Sequence, residues 1–137
     1  MYWRCKYDIA IQNMQYDSAA VYVKNLADVD TCNFQNVFVC AHFFQKQNYF
    51  KEAEEYYIKI LKKIRERLVK ENPRAYEPGL ASTYNNLANL YCIIQRFDES
   101  EKMHKAAIEI RERLANENPK ANEPDLAMSY TNLAVLY

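Results

Sequence analysis

IRERLVKENPRAYEPGLASTYNNLANLY, Ile64 to Tyr91, returns 46 residues later as IRERLANENPKANEPDLAMSYTNLAVLY, Ile110 to Tyr137, with 19 of 28 positions identical. A fixed period of this length marks supersecondary units that stack and share one continuous core. Working outward, YFKEAEEYY lies over RFDESEKMH, pairing Phe50 with Phe97 and Ala53 with Ser100 at an offset of 47. Further back, QYDSAAVYV puts Tyr16 in the place of Phe50 and Ala19 in the place of Ala53. The whole chain is repetitive.

The spacing inside each unit is helical. Tyr84, Leu87, Ala88 and Tyr91 fall at i, i+3, i+4 and i+7 and make one apolar stripe, as do Tyr130, Leu133, Ala134 and Tyr137. Phe97, Ser100, Met103, Ala107, Ile110 and Leu114 continue in three- and four-residue steps, with Phe50, Ala53, Tyr57, Leu61, Ile64 and Leu68 as their earlier copy. Each unit is therefore two helices. Glu55 before Lys59 and Glu101 before Lys105 place supporting i,i+4 pairs on solvated faces. Asn72-Pro73 and Asn118-Pro119 are expected to stop the long second helices, because proline drives its predecessor out of the helical region. Pro78 and Pro124 suit a first helical turn, with Asp125 at the positive end of the dipole. Helices are predicted near 2–13, 15–29, 34–47, 50–71, 79–94, 97–117 and 125–137.

Composition agrees with an all-α fold. The chain has 137 residues, half of them hydrophobic, with one Gly and four Pro, which leaves little for hairpins or phosphate-cradling loops. Eighteen basic residues balance eighteen acidic ones, so there is no net field to collect nucleic acid or an anionic membrane. No apolar run approaches the roughly 20 residues of a membrane span, and MYWRCKYDIAIQN lacks the apolar core of a signal peptide. A cytoplasmic compartment is the expectation.

The order aromatic, Leu-Ala, Tyr, then six residues on an aromatic and three beyond it a small residue is carried by Tyr84, Leu87-Ala88, Tyr91, Phe97 and Ser100. It resembles the tetratricopeptide repeat (TPR), in the lengthened form of kinesin light chains and many bacterial arrays. Trp3 takes the first aromatic place in the opening unit, and Ala41 with Phe44 the Ala and Tyr places in the next; Tyr7 stands where a small residue belongs. Ala88 and Ser100 are small because the two helices approach most closely there. A period of 46 also suits HEAT or armadillo repeats, which lack this paired spacing. The resemblance implies a TPR solenoid of about seven helices in stacked antiparallel pairs, coiled as a right-handed superhelix. The expected division is a diverged repeat 1–33, repeats 34–78 and 79–123, and the first helix of a further repeat at 124–137.

Catalytic and metal chemistry has no foothold. Cys5, Cys32, Cys40 and Cys92 form no CxxC, and Cys40 with His42 is too small a set for zinc. His42 and His104 lack a nucleophile and an acid at a recognisable spacing, and Glu54-Glu55 and Glu99/Glu101 belong to solvated faces. No enzyme activity, cofactor or metal is expected.

Function then lies in a surface. In a repeat array the first helix of each pair lines the concave side, and the residues rotated away from its apolar stripe are Arg4 and Asp8, Phe38 and His42, Asn85, Asn86 and Asn89, then Thr131 and Asn132. Asparagine offers donor and acceptor together and pairs with an extended peptide main chain whatever its sequence. The resemblance implies protein or peptide ligands there, with Asn86 and Asn132 at a position where an Asn often serves; the competing role is cross-linking of neighbouring helices. Asn85 and Asn89 stand where a two-carboxylate clamp would need Lys or Arg, so chaperone C-termini are not a favoured ligand. The alternative is a structural element that self-associates through its exposed repeat ends. Since the last stripe lacks a covering helix, the chain is expected to be a segment of a longer array, with its last helix buried against another molecule or the least ordered of the seven.

Overall fold

The computed structural model describes residues 2–29, 34–70 and 73–136. These form seven helices: α1 Tyr2–Gln12, α2 Tyr16–Val29, α3 Phe34–Lys46, α4 Phe50–Lys70, α5 Pro73–Ile93, α6 Phe97–Glu117 and α7 Pro119–Val135. No strand occurs among the described residues. The fold is an all-α helical repeat, and it divides into two compact units, 1–60 and 61–137, with the boundary inside α4.

In the first unit α2 packs between α1 and α3. Ala10, Ala19, Val23, Leu26, Ala27, Val37, Cys40, Ala41, Phe43, Phe44, Ala53 and Tyr57 are buried, so small residues meet at the crossings and aromatics fill the flanks. Tyr57 is fully buried and donates its hydroxyl to Gln45 Oε1 at 2.8 Å, and burial pushes its pKa up to about 12. Tyr7, where a small residue was expected, is accommodated edge-on against Phe43 with ring centroids 5.7 Å apart. Trp3 stacks on Tyr22 at 6.1 Å.

In the second unit α6 packs between α5 and α7. Ala88 and Ser100 are both fully buried, and Ser100 Oγ donates to the Ala88 carbonyl at 2.7 Å. The small residues thus do more than make room, because the hydroxyl ties α6 to the α5 backbone. Leu80, Ala81, Tyr84, Leu87, Leu90 and Tyr91 of α5 are buried, as are Ala107, Ile110 and Leu114 of α6. Phe97, expected in that stripe, is instead 53% exposed at the first position of α6, where the chain has only just entered the pair.

Three turns of one design join the two helices within each pair. Met14, Asn48 and Gln95 have φ of 57°, 64° and 63°, in the left-handed region. After each, a backbone N–H reaches back five residues, Gln15 to Ala10, Tyr49 to Phe44 and Arg96 to Tyr91, at 2.8, 2.9 and 2.8 Å. This is the helix-ending motif usually closed by glycine, here built without one. Its customary side-chain contact is present as Tyr49 edge-on to Phe44 and Arg96 over the Tyr91 ring at 4.5 Å.

The prolines act differently from their expected roles. α5 and α7 start at Pro73 and Pro119, six residues before the predicted starts, and Pro78 and Pro124 lie inside the helices. A proline at the first helical position forfeits no hydrogen bond, so Pro73 and Pro119 can open their helices, and Pro119 does so in the act of closing α6. Asn118, the only residue between α6 and α7, takes φ −144° and ψ 88°, the extended form that a following proline imposes. Asn122 Nδ2 then donates to the carbonyls of Leu114 and Asn118 at 3.0 and 2.9 Å, sealing the end of α6. Asp125 consequently sits beyond the first turn of α7. Leu68, Cys32 and Tyr137, named in the sequence reading, fall outside the residues whose side chains are described.

Candidate partner-binding faces

The residues singled out from sequence lie on α1 and α3 in the first unit and on α5 and α7 in the second. On α1, Arg4 Nε and Asp8 Oδ1 are 3.2 Å apart, an exposed i,i+4 pair whose charges largely satisfy each other. On α3, the Phe38 and His42 rings stack with centroids 6.2 Å apart and planes 8° from parallel. Phe38 also meets the buried Tyr57 ring, so an exposed His42 rests on an aromatic rooted in the core. Partial burial, then the neighbouring Lys46, holds the His42 pKa below its ordinary value and keeps a neutral donor-acceptor ring at that face.

On α5 the three asparagines differ. Asn85 is buried, 6% exposed, and its Oδ1 accepts from Asn132 Nδ2 at 3.1 Å, so this amide pair cross-links α5 to α7. Asn86 and Asn89 are half-exposed, and among the described residues no side-chain hydrogen bond involves them. Thr131 is exposed and returns its hydroxyl to the Ala127 carbonyl of its own helix at 3.0 Å. The second unit therefore brings Asn85 and Asn132 together and leaves Asn86 and Asn89 with unspent hydrogen-bonding capacity at the surface.

Two buried polar groups were not marked by the sequence reading. Arg111 donates to the buried Ser129 hydroxyl and, at 3.2 Å, to the Asp125 carbonyl; burial lowers its pKa and Asp125 opposes the shift. His104 is 1% exposed, its Nδ1 has no hydrogen-bond partner among the described residues, and burial lowers its pKa. The internal repeat contains the signal for it. His104 stands in the place of Tyr57, and Cys92 in the place of the Gln45 that Tyr57 bonds, so the shorter ring faces no oxygen acceptor.

Cys5 and Cys92 are free thiols, and no group of three potential metal ligands occurs among the described residues. No described helix is long and apolar enough to cross a membrane.

A comparison with curated proteins finds no match. Among solved structures, BtubC (BKLC) from P. vanneervenii is similar, with a TM-score of 0.74 and 24% sequence identity over 96% of this chain. The chain spans about half, 52%, of that one's length, and the likeness is one of fold. A family model described as tetratricopeptide repeat matches residues 80–119, which take in most of α5 and all of α6 with the Ala88–Ser100 contact between them. That match covers 40 of the chain's 137 residues and falls on the α5–α6 pair, which is similar to a tetratricopeptide repeat.

Proposed function

We propose that the chain binds a peptide or partner protein on the first-helix faces of each unit: Arg4, Asp8, Phe38 and His42 in the first, and Asn86, Asn89 and Thr131, with Asn85 and Asn132 as support, in the second. Tetratricopeptide repeats are non-catalytic units of protein-protein interaction and scaffolding. The observation that carries the reading is the pair of half-exposed amides on a well-packed helix, held in place by the Asn85–Asn132 bond beside them. An extended main chain needs such paired donors and acceptors at fixed positions. Balanced charge argues against nucleic acid as the ligand, and free thiols suit a reducing, cytoplasmic setting. The same proposal keeps a diverged unit 1–33, repeats 34–78 and 79–123, and a further first helix at 124–137.

Selection of displayed random peptides on the immobilised chain tests it. Enriched peptides should lose about tenfold in affinity on Asn86→Ala, one or two hydrogen bonds' worth, with melting unchanged. Failure to enrich any peptide, or peptides indifferent to Asn86→Ala and His42→Ala alike, would overturn it. A second reading, assembly through exposed repeat ends, draws on the exposed Tyr2 and Ile9 of α1 and Met128, Tyr130 and Val135 of α7. It requires association that rises with concentration.

A further inference from the structure

The internal repeat shows which exposed positions belong to the first-helix face itself, because those are open to solvent in both copies. Ser82 and Met128 are exposed, and Asn86 and Asn132 are half-exposed. Ala127, Tyr130 and Ala134, exposed where Ala81, Tyr84 and Ala88 are buried, are not part of it. Along α5 the face is a ridge of Ser82, Asn86, Asn89 and Ile93, one helical turn apart, with the serine and the isoleucine exposed at its two ends. From Ser82 to Ile93 the helical rise amounts to about 16 Å, the span of about five extended residues. The Asn85–Asn132 bond of 3.1 Å sets Asn132 beside α5, and Met128 stands one turn before Asn132 on α7.

This face carries no charge. From Pro78 to Gln95 the sequence holds no Asp, Glu, Lys, Arg or His, and neither does Leu126 to Leu136. The chain as a whole is 26% charged, so two such blanks on the first helices of one unit are not an effect of composition. The repeat does not demand them either, since on α3 His42 stands in the place of Asn89 and Lys46 in the place of Ile93, both exposed. The charges that border the ridge on α5 are spent: Glu77 holds Arg113 at 3.0 Å, and Arg96 pairs with Glu99.

We infer, resting on the reading of α5 as a peptide face, that the second unit selects an uncharged, aliphatic-bearing segment of about five extended residues. Ser82, Asn86 and Asn89 pair with its main chain, while Ile93 and the adaptable Met128 take apolar side chains. A Lys, Arg, Asp or Glu in that segment gives up water here and meets no opposite charge, so the face excludes charged ligands as much as it attracts apolar ones. Binding therefore owes little to long-range electrostatics and resists salt.

Selection of short displayed random peptides on the intact chain tests this when the pool is read by composition. Peptides that lose about tenfold in affinity on Asn86→Ala should be depleted of Asp, Glu, Lys and Arg against the starting library and enriched in aliphatic residues. Their affinity should weaken less than about twofold between about 0.1 M and about 1 M salt, over which the screening length falls from about 10 Å to about 3 Å. Ile93→Lys, a residue that α3 already carries at the same place, should shift the selected pool towards Asp and Glu with the circular dichroism spectrum kept. Asn86-dependent peptides that carry charges in the contacted segment, or that lose more than about fivefold with salt, overturn the inference and leave the proposed function standing. So does an Ile93→Lys pool of unchanged composition, and so do peptides indifferent to Asn86→Ala but lost on His42→Ala. No enrichment at all overturns both.

Discussion

At the scale of single residues, Leu87, Ala88 and Ser100 bear most of what the second unit depends on. Leu87 is buried in α5, and Leu87→Ala should cost about 2–5 kcal/mol through the cavity it leaves. Ala88→Leu should cost about 1–3 kcal/mol, because added methylenes at a closed helix contact have nowhere to go. Thermal melts of both variants check this, and parent-like unfolding would place the α5–α6 contact elsewhere. These positions were legible from spacing alone, since a small residue within an aromatic stripe has few other reasons to be there. The bond from Ser100 to the Ala88 carbonyl was not, because Ser and Ala are equally small and only geometry shows where a hydroxyl points. Asn85 was beyond reach for a similar reason: a stripe diagram puts it beside Asn86, yet its amide turns inward to Asn132. Asn132→Ala should therefore lower stability by about 1 kcal/mol, which Asn86→Ala should not.

His104 makes the second unit sensitive to acid. A buried imidazole whose pKa is lowered on folding is neutral in the folded state and protonates more readily when unfolded. Stability is accordingly full above the ordinary histidine pKa of about 6.5 and falls as pH drops below it, until the folded-state pKa is reached. His42, also lowered, contributes in the same direction from its exposed face. Denaturant melts between pH 7 and pH 5 should show the loss for the parent and a smaller one for His104→Phe. An unchanged pH dependence would mean that the ring is not shut away from water.

At the scale of elements, the second helix of each pair began where the periodicity placed it, within a residue, while α5 and α7 began six residues early. Proline stops the helix before it, but the same residue can open the next. A proline at the first helical position has no donor to lose, so Asn118 alone suffices as the joint. The turns inside the pairs were invisible for a different reason, since the sequence has a single glycine and the turns use Met14, Asn48 and Gln95 at positive φ. Holding a side chain in the left-handed region costs about 1 kcal/mol. Gln95→Gly should therefore stabilise the second unit by about that amount, read as a higher denaturant midpoint at constant slope. A loss of stability would show that the Gln95 side chain contributes more than its backbone strain removes.

At the scale of the whole chain, repetition is the organising fact, and it was the most legible feature because nothing but a repeated architecture needs 19 of 28 positions twice. What repetition alone cannot tell is which copy of an element is covered, since Ala81, Tyr84 and Ala88 read the same as Ala127, Tyr130 and Ala134. Packing decides that, and it buries the first set and exposes the second. The most direct measurement is amide hydrogen exchange on the monomeric chain at two concentrations, comparing 81–91 with 127–136. Strong protection of the α5 segment and exchange several-fold faster in α7, at the low concentration, is the expected result, because helix protection follows tertiary cover more than propensity. Equal, concentration-independent protection of both segments would contradict it and make α7 a finished end of the fold.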